Sequence, residues 1–473
     1  MLKKKNLLVI LLLLIAFVCV GCGSKKKGKV NFEVPEGGYD GSDVTINFYH
    51  TMGSNLSDVL DAYIVEFNKL YPNIHVVSSK IGGYNDVRDQ ISTEITEGNQ
   101  PNIAYCYPDH VALYNLAGAV ATLDSLIESK ESDGNGGILG LTQEQINDFI
   151  EGYYAEGTSF GDGLMYTMPF SKSTEVLYYN KTFFEANNLT IPTTWDEMEA
   201  LCEKIKSIDP NCIPLGYDSS ANWFITMCEQ YMADGQNTAY TSATGEHYLF
   251  NTELNRSFVK KFQEWYKKGY ITTQTIYGAY TSGLFVNTKQ GEGELRSYMS
   301  IGSSAGATHQ RPTKENGAYP FEVGIATIPQ VNPSKPKVIS QGPSVCIFKK
   351  ANPQEVVASW LFVKYLTTSV EFQAEFSIAS GYVPVIKSVV NNAYFAKTLE
   401  NADGGDYVSA LSTKICMEQV DAYFVSPAFV GSSTARDEVG GIIDKSLVST
   451  DADIEAAILR IFQDAIAECE YNS

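Results

Sequence analysis

Apolar residues between positions 43 and 106 alternate between strand-like runs and helical spacing. Residues 44–49 (VTINFY) form a short apolar run, and residues 56–71 carry Leu, Ile, Phe and Tyr every three to four positions. A second run at 74–77, an amphipathic stretch at 87–95 and a third run at 103–106 follow. This order predicts a β-α-β-α-β unit, with a mostly parallel sheet covered by helices.

The ends of these three strands are the first candidates for a binding site. Ligands of open α/β sheets bind beyond the carboxyl ends of parallel strands. Here those ends are HTMG (50–53), GGY (82–84) and YPDH (107–110). We therefore expect a site at these segments.

Three later stretches predict further helices. Residues 195–207 follow a Pro-Thr-Thr cap, residues 356–379 form one long amphipathic helix ended by Gly381, and residues 451–469 carry apolar side chains on one face. Residues 131–140 (ESDGNGGILG) predict a loop. With about 430 residues beyond the N-terminal region, the chain exceeds the size of a single core, so we expect two lobes.

The first 22 residues have the pattern of an export signal. Three lysines precede the apolar run 7–20, which is too short to span a bilayer comfortably, and CVGC (19–22) follows. This ending resembles a bacterial lipobox, with Cys19 where Leu is usual, and the resemblance implies a signal peptide at 1–21 and lipid on Cys22. A Cys-x-x-Cys pair and an uncleaved signal anchor are the alternatives. Acyl chains would hold the protein on the outer face of the cell membrane, with residues 22–42 as a flexible tether.

The charge balance argues against nucleic acid as a partner. The formal net charge is −20, and it becomes −23 without the three lysines of the signal. Such an acidic protein repels phosphate backbones. Beyond the signal, we find no apolar stretch long enough to span a membrane.

Cysteine and histidine spacing gives no reason to expect a metal or another cofactor. Seven cysteines beyond Cys22 are scattered and lack a Cys-x-x-Cys pair. A bridge between Cys202 and Cys212 is open, although the odd count leaves at least one free thiol. The five histidines lack metal-site spacing, and no phosphate-binding glycine loop is present.

One motif raises the question of catalysis. Residues 302–306 (GSSAG) satisfy the Gly-x-Ser-x-Gly pattern of esterases, in which an acid and then a histidine follow the serine. Only His309 follows Ser304, five residues later, so a tight loop of small residues is the better interpretation. The carboxylate pair of a glycoside hydrolase cannot be recognised without geometry. We expect a binding protein, with an exported hydrolase as the remote alternative.

Four stretches together resemble the bacterial extracellular solute-binding proteins of ABC importers, and most closely their glycerol 3-phosphate-binding branch. They are INFYHTMGSNLSDVLDAYIVEFNKLYPNI (46–74), MPFSKSTEVLYYNKTFF (168–184), IPTTWDEMEAL (191–201) and the run 341–387, which contains QGPSVCIFKKANPQEV and SGYVPVIKS. The resemblance implies a class II-like periplasmic-binding-protein fold. Two α/β lobes would close on a ligand in the cleft between them, and the ligand would then pass to the permease subunits.

The resemblance also implies where the chain crosses between the lobes. Lobe one would hold residues 43–172 and 342–412. Lobe two would hold residues 173–341 and 413–473.

Family positions matched one at a time give the candidate ligand contacts. Trp223 resembles the aromatic platform under the ligand, and Gly342 stands where a backbone N–H approaches it. Either Ser303 or Ser304 matches a further ligand-contacting serine of the family. The full set is Tyr84, Asp109, Ser173, Trp223, Ser303, Ser304, Gly342 and Tyr382.

The C-terminal loop departs from the branch pattern. Ser432 or Ser433 occupies the place of the phosphate-binding arginine, and Arg436 comes three or four residues late. Hydroxyl groups suit a neutral polyol better than a buried dianion, which needs charge-assisted donors. The sequence therefore favours a mono- or oligosaccharide over glycerol 3-phosphate or a glycerophosphodiester. Lys172, beside the crossover, and Arg436 are the two residues that could still supply the positive charge.

Overall fold

The computed structural model describes residues 28–288, 295–400 and 407–471, and it contains two β-sheets with helices on their faces. The export signal and Cys22 lie outside the described residues. The strands are β1 (Val44–His50), β2 (Ile74–Lys80), β3 (Ile103–Cys106), β4 (Thr167–Pro169), β5 (Ser173–Asn180), β6 (Leu215–Tyr217), β7 (Ile271–Thr273), β8 (Met299–Ser303), β9 (Val323–Ala326), β10 (Val338–Gln341), β11 (Ser344–Ile347) and β12 (Tyr423–Phe424).

The helices fill the intervals between the strands. They are α1 (Ser54–Leu70), α2 (Tyr84–Glu97), α3 (Pro108–Leu116), α4 (Asp124–Glu128), α5 (Gln143–Asp148), α6 (Glu151–Glu156), α7 (Lys181–Ala186), α8 (Trp195–Ile208), α9 (Ser220–Ala233), α10 (Glu253–Lys267), α11 (Gln274–Tyr277), α12 (Ser282–Phe285), α13 (Pro353–Thr368), α14 (Val370–Ser380), α15 (Ala393–Glu400), α16 (Tyr407–Glu418), α17 (Ser432–Leu447) and α18 (Ile454–Tyr471). Short 3₁₀ turns lie at Ser304–Gln310, Lys387–Asn391 and Val420–Ala422.

The first sheet has the order β2-β1-β3-β11-β4. Strand β1 pairs in parallel with β2 and β3, with Phe48 opposite Ile103, so the β-α-β-α-β unit predicted from the sequence is present. Strand β11 returns from far along the chain and pairs antiparallel with β3 and β4. This sheet is therefore mixed, but four of its five strands run in the same direction and β11 alone is reversed, which agrees with the predicted mostly parallel sheet.

The second sheet follows the order β12-β10-β5-β8-β6-β7, and β9 pairs with β5. Strands β6 and β7 are parallel neighbours, and β6 is parallel to β8. The long crossover strand β5 pairs antiparallel with β8, β9 and β10, so this sheet too is mixed. The two sheets form the two lobes of the molecule. Strands β10 and β11 are separated by only two residues, and there the chain passes from one sheet to the other.

One helix prediction needs correction. The stretch 356–379 is two helices, α13 and α14, separated at Ser369. The Ser369 hydroxyl accepts a hydrogen bond from the Phe372 N–H (3.2 Å) and so begins a new helix. The pattern hid this break because most of both helices is buried, so apolar residues run on without a polar face.

The sequence predicted a flexible tether at residues 22–42, but in the structure residues 28–42 of this segment are bound to the rest of the protein. Asn31 binds the backbone of Val120 and Thr122 through its side-chain amide (2.9 Å each). Tyr39 is buried, and its N–H donates to the Ser132 carbonyl (3.0 Å). These contacts bind the segment to lobe one, where it packs against the loop 131–140.

The described cysteines all carry free thiols, including Cys202 and Cys212, so the bridge left open by the sequence is not formed. Across the described ranges, no helix is both long enough and apolar enough to span a bilayer.

Candidate functional site

A cavity of about 240 Å³ lies between the two lobes. Lobe one contributes the residues that follow β2 and β3, and lobe two contributes the start of α17. The crossover strand β10 closes its base. The lining residues are Tyr84, Asn85, Tyr107, Pro108, Asp109, His110, Glu156, Tyr240, Ile339, Ser340, Gln341, Gly342, Ser426, Pro427, Ala428, Ser432, Ser433 and Arg436.

A second chamber, of about 520 Å³, lies on the other side of Tyr84. Its walls include residues 51–53 and 82–84, which follow β1 and β2, and Ala379, Ser380 and Tyr382 at the end of α14. The hydroxyls of Tyr84 and Tyr382 are 3.3 Å apart. The strand ends predicted from the sequence therefore line the two parts of one cleft.

Tyrosine rings form much of the wall that both parts share. The Tyr84 ring lies 4.6 Å from Tyr107 and stacks on Tyr105 at 5.9 Å, measured between ring centroids. Burial raises the pKa of Tyr84, Tyr105 and Tyr382, so their hydroxyls stay protonated. The cleft thus presents neutral hydrogen-bonding groups beside flat apolar faces.

Arg436 brings positive charge to the cavity wall. It lies in the first turns of α17, a helix that starts after Gly431 (φ 98°) without a side-chain cap. The guanidinium Nη2 donates to Asn222 Oδ1 and to Gln341 Oε1 (2.9 Å), which are both neutral amide oxygens. Within the described ranges Arg436 makes no ion pair. Its charge therefore adds to the positive end of the helix dipole, where Ser432 and Ser433 also line the cavity.

Lys172 lies beneath the cavity and has no access to it. Its ammonium binds the Glu156 carboxylate, the Gly342 carbonyl (3.0 Å) and the Ser344 hydroxyl (2.8 Å), and the side chain is completely buried. Glu156 itself lines the cavity. Lys172 therefore holds helix α6 and the crossover segment together and is not positioned to contact a ligand.

Six of the predicted residues lie on the cavity, and one on the second chamber. Those on the cavity are Tyr84, Asp109, Gly342, Ser432, Ser433 and Arg436; the one on the chamber wall alone is Tyr382. The others lie outside both parts of the cleft: Lys172, Ser173, Trp223, Ser303 and Ser304.

The crossover serines have backbone roles. Ser173 is buried in β5 opposite Gln341. Ser303 caps the 3₁₀ turn by accepting from the Ala305 N–H (3.2 Å). Ser304 is completely buried and accepts from the Thr174 N–H (3.3 Å). This position differs from that of an esterase nucleophile, which is exposed on a sharp turn.

The backbone at position 342 favours glycine for structural reasons, independently of any ligand contact. Its φ of 102° is a conformation that side chains disfavour, and a Cβ would come within 2.8 Å of the Ser171 carbonyl oxygen and 2.9 Å of the Ser173 nitrogen. The crossover segments therefore pack too closely at this point for any larger residue.

Trp223 is a core residue, which corrects the expected platform. Its ring is completely buried in lobe two, stacked on Tyr217 at 4.8 Å and against Phe262 at 4.0 Å. Trp223 lies in the first turn of α9, next to Asn222, whose side chain contacts Arg436 at the cavity wall. The predicted position was therefore close to the cavity, but the indole points into the core. Because a helix rotates by about 100° per residue, adjacent positions face different surroundings.

The Trp223→Phe change should therefore affect folding rather than binding. The indole Nε1 has no partner in the structure, so the loss is one of packing. We expect unfolding free energy to fall by about 1–3 kcal/mol, with ligand Kd changed by less than about twofold. Trp195→Phe is the comparison, because its Nε1 donates to Gln230 Oε1 (2.8 Å) and that bond is lost as well. Urea unfolding measures the first effect and calorimetry the second. A large rise in Kd without loss of stability would show that Trp223 contacts the ligand.

A buried carboxyl lies behind Arg436. Glu175 on β5 is completely buried and accepts from the Tyr217 hydroxyl (2.6 Å). Burial raises the pKa of the Glu175 carboxyl to about 7. Around it lie Arg436, whose charge lowers this pKa, and Asp218, whose charge raises it.

This carboxyl makes stability depend on pH. Below pH 4.5, the ordinary pKa, Glu175 is protonated in both states and its contribution is complete; the contribution is lost as the pH rises through about 7. We expect Glu175→Gln to stabilise the protein at pH 8 but not at pH 4. Urea unfolding at both values checks this, with the exposed Glu203→Gln as control. An equal effect at both pH values would contradict it.

Several cavity residues were missed by sequence reasoning. Tyr107 and His110 belonged to a predicted strand end and could have been named individually. Ser340 could have been found from the crossover strand. Tyr240 and Ser426 come from irregular segments of lobe two, where no periodic pattern indicated their position.

Comparison with known proteins agrees with this architecture. A family model described as bacterial extracellular solute-binding protein matches residues 62–402. The chain belongs to this family. It is an exported protein, the solute-binding component of an ABC importer.

Individual relatives are distant. The sn-glycerol-3-phosphate-binding periplasmic protein UgpB of Yersinia pestis bv. Antiqua is 24% identical over 349 residues, which are 72% of this chain and 74% of the relative. The cyclic alpha-maltosyl-1,6-maltose binding protein of Arthrobacter globiformis superposes with a TM-score of 0.68 at 19% identity, over 91% of this chain and 100% of that one. The structure of UgpB from Mycobacterium tuberculosis in complex with glycerophosphocholine superposes with a TM-score of 0.69 at 17% identity, over 90% of this chain and 99% of that one.

Proposed function

We propose that this protein captures a glycerol phosphate or glycerophosphodiester in the cavity between its lobes and delivers it to the permease. The single observation that carries the proposal is Arg436. Its guanidinium stands at the cavity wall, bound only to neutral amide oxygens, at the N-terminus of α17. A phosphate there would gain charge-assisted hydrogen bonds without first breaking an ion pair.

This proposal reverses the preference drawn from the sequence. That preference rested on serines at the place of the phosphate-binding arginine. Arg436 lies one helical turn beyond Ser432, and residues four apart share a helix face, so both side chains line the same cavity. The family resemblance to the glycerol 3-phosphate-binding branch supports the same ligand class.

The rest of the cavity suits the remainder of such a solute. Asp109 lies on the lobe-one side with Tyr84 and Tyr107, while Arg436 lies on the lobe-two side. A carboxylate among tyrosine faces favours a cationic headgroup, as in a choline ester, through charge and cation–π attraction. Both ends of a zwitterionic phosphodiester would then be matched.

A neutral sugar is the second candidate. The hydroxyls of Ser340 and Ser426 line the cavity and have no hydrogen-bond partner among the described residues. Such groups donate and accept equally, as sugar hydroxyls require. The second chamber would give room for further sugar units.

Calorimetry with the purified protein tests the choice. The panel contains glycerophosphocholine, glycerol 3-phosphate, maltose and a maltooligosaccharide, and product formation is followed in parallel to test for hydrolysis. Tight binding of a phosphate compound without turnover supports the proposal. Tight binding of a sugar alone would replace it with the second candidate, and turnover would reopen the hydrolase alternative.

We further propose that closure occurs about the crossovers, with lobe one made of residues 43–172 and 342–412 and lobe two of residues 173–341 and 413–473. Strand β5 begins and β10 ends at these boundaries, where Ser173 pairs with Gln341. Ligand binding would then favour the closed arrangement.

We also propose that Cys22 anchors the protein to the outer face of the membrane through lipid. The sequence pattern before Cys22 supports this, since the position lies outside the described residues. We expect Cys22→Ala to move the protein from the membrane fraction to the soluble exported fraction. Fractionation and immunoblotting measure this, with the buried Cys202→Ala as control. A variant that stays wholly in the membrane fraction would indicate an uncleaved signal anchor.

A further inference from the structure

A separate pocket of about 630 Å³ lies on lobe two, and it shares no lining residue with either part of the cleft. Arg311, Lys314 and Tyr319 form one wall, and Thr182 and Glu322 lie on another. We propose that this pocket is a second binding site, for the phosphate group of a phosphate ester. The proposal is independent of the ligand assigned to the cleft.

A tight hairpin builds the cationic wall. Glu315 and Ala318 exchange two backbone hydrogen bonds (2.8 and 3.1 Å), and the residues between them, Asn316 and Gly317, have φ values of 51° and 86°. Positive φ at both central residues is the geometry of a two-residue hairpin turn, which Asn-Gly favours. The turn places Lys314 across from Tyr319, with the lysine nitrogen 4.9 Å from the ring centroid.

Arg311 approaches the same ring. Its guanidinium carbon is 5.5 Å from the Tyr319 centroid, so two positive charges lie against one aromatic ring. The Arg311 Nη1 atom is buried and has no hydrogen-bond partner within the described part of the chain. Leaving a buried charged donor unpaired costs stability, so an acceptor supplied by a ligand would remove that cost.

No carboxylate of the described residues neutralises the pair. Glu322, the acidic group in the pocket wall, is bound by Lys181 at 2.6 Å. In a chain with 55 acidic and 35 basic residues, two cations on one ring that have no acidic partner among the described residues are unusual. They create a local positive site on an acidic surface.

The donor set indicates the chemistry of the ligand. A guanidinium offers paired N–H donors that match phosphate oxygens, and an ammonium adds a point charge beside it. The pocket volume exceeds what a bare phosphate needs, which leaves room for an attached group against Tyr319. The ester could be a soluble sugar or polyol phosphate, or the headgroup of an anionic lipid.

Two measurements separate these sources. The first is ³¹P line broadening of inorganic phosphate at low ionic strength, in the Arg436→Gln background so that the cleft does not contribute. The second is co-sedimentation of the exported Cys22→Ser form with phosphatidylcholine vesicles, with and without phosphatidylglycerol. Each compares the unmodified pocket with Arg311→Gln/Lys314→Gln and with the control Lys445→Gln/Arg460→Gln, which removes the same charge from the exposed faces of α17 and α18.

We expect the pocket variant to weaken phosphate binding by about tenfold or more, while the control changes it by less than about twofold. A pocket-dependent loss in the first measurement supports a soluble phosphate ester. A pocket-dependent loss in the second measurement alone supports a lipid headgroup. Absence of binding in both, or equal losses in pocket and control variants, would overturn the proposal.

Discussion

Replacing Arg436 with Gln should weaken binding of a glycerol phosphate ligand by about 2–4 kcal/mol, or roughly 30- to 1,000-fold in Kd. The reason is that the guanidinium is a charged donor at the cavity wall, while the shorter glutamine keeps only a neutral polar group near Asn222 and Gln341. Calorimetry with glycerophosphocholine and glycerol 3-phosphate measures the loss. Unfolding in urea shows whether the fold is preserved.

Arg460→Gln is the matched control. It removes the same charge from α18, where Arg460 is exposed and pairs with Asp451 at 3.3 Å. Its effect on Kd should be less than about twofold, since exposed charges at a distance are screened. If Arg436→Gln leaves phosphate affinity at the level of this control, the phosphate assignment is wrong. A sugar that binds equally well to both variants would then be the solute.

The position of Arg436 shows why one aligned position is weak evidence for the identity of the ligand. Position-by-position matching compared it with a loop residue three or four places earlier. The structure instead has a helix starting at Ser432, and a shift of four positions along a helix returns to the same face. A change of ligand inferred from one aligned position therefore needs the local secondary structure as well.

The structure confirms the helices and strands that were predicted from a regular spacing of apolar residues. The β-α-β-α-β unit followed from alternating apolar patterns, and α8 followed from the Pro-Thr-Thr cap. In the structure, Thr194 of this cap and Glu197 bond to each other's backbone. The break at Ser369 was missed because both flanking helices are buried nearly all round. In a continuous apolar run, polar and apolar positions do not alternate regularly, so the sequence does not show where one helix ends and the next begins.

The site itself was predicted where strand ends and family motifs coincided. Tyr84 and Asp109 follow β2 and β3, so topology alone brought them together. Trp223 and Lys172 were misplaced for a different reason, because their side chains point away from the cleft. Asn222, next to Trp223, contacts Arg436, and Lys172 itself contacts Gly342 from below. Sequence pattern gives the position of a residue along an element, while the direction of its side chain depends on packing with distant segments.

Replacing Lys172 with Met should lower the unfolding free energy by about 3–5 kcal/mol. Met keeps the apolar stem of the lysine but leaves the Glu156 carboxylate buried without its partner, which is the costly way to break a buried ion pair. Urea unfolding of the variant, with the native protein beside it, measures the change.

The double variant Lys172→Met/Glu156→Gln separates charge from packing. Because it removes both charges, it should recover more than about half of the lost stability, even though the Gly342 carbonyl and the Ser344 hydroxyl lose a donor. The sequence allowed Lys172 to be a phosphate contact, and the two roles predict opposite results. A stable Lys172→Met protein with weakened phosphate affinity would make Lys172 a ligand residue. A destabilised protein rescued by Glu156→Gln would make it the residue that joins helix α6 to the crossover segment.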